Sequence, residues 1–165
     1  MTLLDIFDTA QNRAEKTIKP ANGWFECLPN KFQYRFRLDN YTDVTSFQKY
    51  YHEGKYVAAL FDFNEEELNQ VRQHVGINFE MANGFYIEPN ATIFPHIDYS
   101  PKRSQKTTIL NLTGTGSVLR LYSNFGDIIL ELPEMVERYT LFPKAVIHSY
   151  TVGNEAAKLI NIWHD

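Results

Sequence analysis

Apolar residues in the first eighteen positions recur at helical spacing. Leu3, Leu4, Ile6, Phe7, Ala10, Ala14 and Ile18 fall close to an i, i+3, i+4, i+7 series that Pro20 ends. This predicts an amphipathic helix laid on a sheet. From Trp24 to Leu38 the texture becomes extended: WFECLP, then KFQYRFRL, in which Phe32, Tyr34, Phe36 and Leu38 alternate with polar residues and read as a strand pair. A short helix is expected between Asp43 and His52. A second begins near Asn64, where Asn as N-cap and Glu67 three residues on make a capping-box pattern ahead of Leu68 and Val71, and Val75-Gly76 breaks it. Beyond Asn78 the chain turns to short apolar runs divided by turn residues: GFYIEPN, ATIFPHIDY, KTTILNL, SVLRLYS, DIILELP, RYTLFP, AVIHSYTV and KLINIWHD. Eight strand-length pieces at this spacing predict an antiparallel sandwich or barrel, because strands alternating with long helices need more chain.

Composition adds limits. At 165 residues, with 44% hydrophobic and 22% charged side chains, the chain has the make-up of one globular domain: 1–77 as a helical and strand flank, 78–165 as the β core. The aromatic share of 15%, from twelve Phe, ten Tyr and two Trp, favours strands. A net charge of −4 offers no overall cationic field, so neither nucleic acid nor an anionic membrane is an expected partner. Cys27 is the sole cysteine, which excludes an intrachain disulfide and any multi-cysteine metal site and suits a reducing compartment. The N-terminal residues lack a signal-peptide pattern and no apolar run approaches the roughly 20 residues of a membrane helix, so the cytoplasm is the expected location.

The residues that suggest chemistry are few. FPHIDYS places His96 and Asp98 at i and i+2, on one face if the segment is a strand. His148 lies on the seventh of the eight pieces, and in a jelly-roll barrel the second and seventh strands are neighbours. Two imidazoles and a carboxylate on one face of an octahedral ion form the 2-His-1-carboxylate triad, which leaves positions open for co-substrate and oxygen. His-x-Asp alone is a weak motif, and a hydrogen-bonded core histidine is the plain alternative. Lys158, ten positions past His148 within the apolar KLINIW, is a second signal, since a lysine aimed into a barrel requires an anion.

Together, His96, Asp98, His148 and Lys158 resemble the signature of the iron(II)- and 2-oxoglutarate-dependent oxygenases. That resemblance implies a mainly β (α+β) fold: a double-stranded β-helix, the jelly-roll, cupin-like core, with N-terminal flanking helices. Lys in the last place is similar to the collagen-type prolyl hydroxylases. Tyr86 matches a tyrosine that lines the 2-oxoglutarate pocket there, Asn111 a further co-substrate contact, and Trp163 a tryptophan on the last strand. YIEPNATIFPHIDYS and HSYTVGNEAAKLINI also resemble the aspartyl/asparaginyl β-hydroxylase branch, although EPNAT replaces the family's Gly-rich turn and Lys stands where that branch has Arg. The resemblance implies Fe(II) on His96, Asp98 and His148, with 2-oxoglutarate held by Lys158, Tyr86 and Asn111. It further implies consumption of O2 to give succinate and CO2, with hydroxylation of a C–H on a peptidyl or free amino acid, prolyl first.

Other features carry less. Lys102, Arg103 and Lys106 in YSPKRSQK could clamp an acidic or peptidic substrate, but a solvated turn is the plainer reading. Arg120 points either to a substrate carboxylate or to a surface acid. Phe94, Tyr99 and Tyr122, with Trp163, are candidates for the substrate pocket, though such aromatics more often fill core. His52 and His74 read as surface residues, and penultimate His164 as exposed. No Walker-type loop, G-x-G-x-x-G or Gly-x-Ser-x-Gly elbow is present. A nucleobase demethylase on the same scaffold and a metal-free jelly roll that binds or builds are the competing readings. The acidic balance disfavours the first.

Overall fold

Helix α1 (Leu3–Thr17) forms where the apolar spacing predicts it, and it buries Ile6, Phe7, Ala10 and Ala14. Thr2 and Asp5 cap it reciprocally. The Thr2 hydroxyl accepts from the Asp5 N–H at 3.1 Å, and the Asp5 carboxylate accepts from the Thr2 N–H at 2.9 Å, which holds that carboxyl below its ordinary value. Helix α2 (Glu65–Val75) carries the expected capping box between Asn64 and Glu67, with both bonds at 2.8 Å. It ends at Gly76 in the left-handed region, φ 67°, where a Cβ would be strained. Glu67 also accepts both terminal nitrogens of Arg13 at 2.7 Å, so one carboxylate caps α2 and fastens α1 to it.

The computed structural model describes residues 1–17, 24–26, 48–52, 55–79, 81–96, 106–114, 116–123, 127–133, 138–143 and 147–165. Its strands are β1 (Trp24–Glu26), β2 (Gln48–His52), β3 (Lys55–Asp62), β4 (Met81–Ile87), β5 (Thr92–His96), β6 (Lys106–Thr113), β7 (Val118–Tyr122), β8 (Ile128–Pro133), β9 (Arg138–Pro143), β10 (Ile147–Thr151) and β11 (Ala157–His164). They form a seven-stranded sheet, β1-β2-β3-β4-β11-β6-β9, and a four-stranded sheet, β5-β10-β7-β8. All eight pieces predicted beyond Asn78 are strands β4 to β11. The seventh pairs with the second, β10 with β5, as a jelly roll requires.

Two cores result, one on each face of the large sheet. Ala59, Phe61, Phe63, Ala82, Leu110, Leu112, Ile160 and Ile162 pack against the helices. On the other face Ala58, Leu60, Phe85, Ile87, Ile109, Ala157 and Leu159 meet Ile93, Leu119, Leu121, Tyr150 and Val152 of the small sheet, and this is the barrel interior. One end of the barrel is closed by the turns after β4 and β10, which are cross-linked by Asn90 N–H to the Gly153 carbonyl at 2.8 Å and Val152 N–H to the Ala91 carbonyl at 2.9 Å. The far ends of β5 and β11 and the start of β10 therefore share the opposite mouth.

Two N-terminal expectations change. The segment predicted as a helix up to His52 ends in strand β2, which pairs with β1 and β3. Pairing partners far along the chain outweighed a short helical pattern there. Lys55–Asp62, to which the pattern assigns no element, is strand β3. Its run Ala58–Phe61 is buried on both faces and so lacks the alternation that marks a half-exposed strand. The paired strands expected to reach Leu38 lie outside the described residues after Glu26. Among the described residues, no helix is long and apolar enough to cross a membrane.

Candidate metal centre at the barrel mouth

Strand β5 is an edge of the small sheet and contains Pro95, whose missing N–H an edge or a bulge tolerates. The register shows such a bulge. Ile93 opposes Tyr150 and His96 opposes His148, so two residues of β5, Phe94 and Pro95, stand against the single Ser149 of β10. The extra residue matters because Ile93 and Tyr150 belong to the interior core. Regular alternation from Ile93 would place Pro95 opposite His148. The bulge brings His96 there instead, on the face of the sheet that His148 and Tyr150 share. His148 itself is 4% exposed, and Leu121 of β7 flanks it on the other side.

Asp98, the proposed carboxylate, and Tyr99, Lys102 and Arg103 lie outside the described residues. Among the described residues no group of three or more metal-binding side chains is gathered. Both histidines of the expected triad are thus brought into register at the mouth, and the geometry of the carboxylate is not part of this description. Two imidazole-bearing residues in direct register suit a borderline cation such as Fe(II).

The residues expected to hold 2-oxoglutarate divide between two faces. Asn111 is fully buried in the interior, where its Oδ1 accepts the Tyr150 hydroxyl at 3.1 Å. Lys158 and Tyr86, which are register partners, lie on the opposite, helix-covered face. Ala157 and Leu159 take the interior, so Lys158 points to α1, where its Nζ donates to Asp8 at 2.7 Å and lies 5.9 Å above the Phe7 ring. The expectation that Lys158 aims into the barrel is corrected by this alternation: its anion is a helix carboxylate, and neither it nor Tyr86 fits a co-substrate inside the barrel.

Arg120 and Tyr122 are likewise off the interior. Arg120 opposes Ser149 on the outer face of the small sheet and bonds Glu131 at 3.2 Å and Thr151 at 3.1 Å, the surface alternative. The Tyr122 hydroxyl pairs with that of Ser149 at 2.7 Å. Trp163 does face inward and is 3% exposed. His164, expected to be exposed, is buried, with Nε2 2.8 Å from the Thr108 hydroxyl. His74 stays on the surface beside the Met1 carbonyl.

Sequence reasoning missed Asp62. It follows Leu60 on the interior face of β3, opposite Asn83, and burial pushes its carboxyl up to about 7 from 3.8. Between those values the folded chain keeps a proton that the unfolded chain releases. This contribution to stability is full below about pH 4, declines as pH rises toward 7, and is flat beyond. Asp62→Asn is expected to remove that slope, and urea midpoints of both chains below, within and above the interval check it. Identical pH dependence in the two would refute it.

The chain is a double-stranded β-helix protein of the jelly-roll, cupin-like kind, mostly β with two helices. Solved structures of similar fold include an oxidoreductase of the 2OG-Fe(II) oxygenase family from Burkholderia pseudomallei, at 10% identity over 77% of this chain and 76% of that one, with a TM-score of 0.55. A Pseudomonas putida prolyl-4-hydroxylase is matched at 15% identity over 61% of each chain with a TM-score of 0.42. The coconut allergen cocosin is matched at 16% identity over 66% of this chain, with a TM-score of 0.49. The chain spans about a quarter of cocosin's length, 26%. No protein-family model matches the sequence, and no curated protein sequence does.

Proposed function

We propose that the barrel mouth is a mononuclear metal centre held by His96, Asp98 and His148, and that the chain is an Fe(II)- and 2-oxoglutarate-dependent dioxygenase hydroxylating a C–H of a peptidyl or free amino acid, prolyl first. The observation that carries this reading is the register of His148 against His96, achieved through a bulge, in a fold shared with a 2OG-Fe(II) oxygenase family protein. Bound iron would supply oxygen activation. The chain's own part is to fix neutral imidazoles on buried strand backbone, to exclude water with the apolar interior around Ile93, Leu119 and Leu121, and to offer a co-substrate the polar pair Asn111 and Tyr150. Purified protein reconstituted with Fe(II) is expected to release succinate from 2-oxoglutarate. No release with any peptide or amino acid tried, together with no retained iron, would overturn the reading.

Lys158 has no place in this chemistry. Lys158→Met is expected to leave the KM for 2-oxoglutarate unchanged and to cost about 0.2–1 kcal/mol of stability, as a partly exposed ion pair does. A rise in KM of about tenfold or more, the loss of one charge-assisted bond, would restore the anchoring role. The same engagement of Lys158 by Asp8 favours, as a second reading, a jelly roll that binds a ligand without chemistry.

A further inference from the structure

The interior face of the large sheet carries polar groups that the proposed chemistry does not use. Near the mouth, Asp62 of β3, Asn83 of β4 and Asn161 of β11 are successive register partners in one row, and Asn161 Nδ2 donates to Asn83 Oδ1 at 3.2 Å. One row nearer the mouth, Trp163 of β11 stands opposite Thr107 of β6. Thr107 is 0% and Trp163 3% exposed, and neither the Thr107 hydroxyl nor the Trp163 indole N–H has a hydrogen-bond partner. Native proteins rarely leave two such groups unsatisfied side by side in one core. The indole can only donate and the hydroxyl can also donate, so a single acceptor oxygen set between them satisfies both.

The neighbours narrow what brings that oxygen. Asp62 is a carboxyl on the same wall without an ion-pair or hydrogen-bond partner among the described residues, so the wall repels an anion and receives an N–H. Oxygen acceptor and N–H donor on one uncharged ligand describe an amide. We propose that Thr107 and Trp163, with the Asp62–Asn83–Asn161 row, form a recognition wall for a neutral, amide-bearing peptide segment, its carbonyl oxygen on Thr107 and Trp163 and an N–H toward Asp62. As a statement about substrate this rests on the barrel mouth being the reactive end; as a statement about binding it needs no metal.

The test uses the nitrogen-15-labelled full chain without added metal. Its two tryptophans, Trp24 and Trp163, give two indole N–H resonances, assigned with Trp24→Phe. The capped neutral dipeptide acetyl-Pro-Ala-amide is expected to shift the Trp163 indole proton saturably and leave that of Trp24 in place, while succinate at equal concentration shifts it less. Thr107→Val, which removes an unpartnered hydroxyl at constant shape, is expected to weaken the peptide about tenfold, as loss of one buried hydrogen bond does, without lowering the thermal midpoint. No saturable shift, an equal or larger response to succinate, or unchanged affinity in Thr107→Val would overturn the wall. A peptide shift in a chain that neither retains iron nor releases succinate would sink the dioxygenase reading alone. Turnover without the shift would sink the wall alone.

Discussion

His148→Ala is expected to abolish iron retention and to lower succinate release by at least about 100-fold. Partners that merely orient metal ligands cost 10–100-fold when removed, and His148 is placed as a ligand itself. The variant isolates the site well. His148 lies on a strand paired along its whole described length with β7 and over most of it with β5, so the backbone ladder survives the loss of one side chain. Metal analysis after reconstitution, turnover and a melting curve together separate loss of the centre from loss of fold. His96→Ala should behave alike, because its register partner cannot complete the site alone. Full iron and full turnover in a folded His148→Ala would remove the basis of the functional reading.

The largest stability effect is expected at Phe61. Its ring is fully buried on the helix-covered face of β3, edge-on to Phe7 of α1 at 4.9 Å and 75°, and 6.1 Å from Phe63. It is seated on Gly84 of β4, its register partner, where an added Cβ would overlap the ring. Phe61→Ala opens a cavity between helix layer and sheet, and is expected to cost about 3–5 kcal/mol in denaturant unfolding with an unchanged m value. Gly84→Ala overpacks the same spot and should cost about 1–3 kcal/mol. Because the two residues share one space, Phe61→Leu combined with Gly84→Ala should cost less than the sum of the single changes. Strict additivity would show that the ring is not seated on the glycine.

Much of the site could be read before any fold was known, and the part that misled did so for a definable reason. The eight C-terminal strands, the α2 capping box and the relation of the second strand to the seventh all follow from local pattern. Lys158 did not follow, although a warning was present. Lys158 and Trp163 are five residues apart, an odd number, so one regular strand cannot present both to the barrel interior. Choosing between them needed the helix layer, which takes Ile160, Ile162 and Lys158, and leaves Leu159, Asn161 and Trp163 to the interior. Tyr86 follows Lys158 because the two are register partners. Strand β3, buried on both faces, had no alternation to read, and with it went Asp62.

Local sequence therefore determined where this chain turns, caps and alternates, and which residues could ligate a metal. Pairing of strands far apart in the chain decided the rest. Periodicity says which side chains share a face but not which face meets the other sheet, and an extra residue at Phe94–Pro95 changes that parity in a way that only the partner strand reveals.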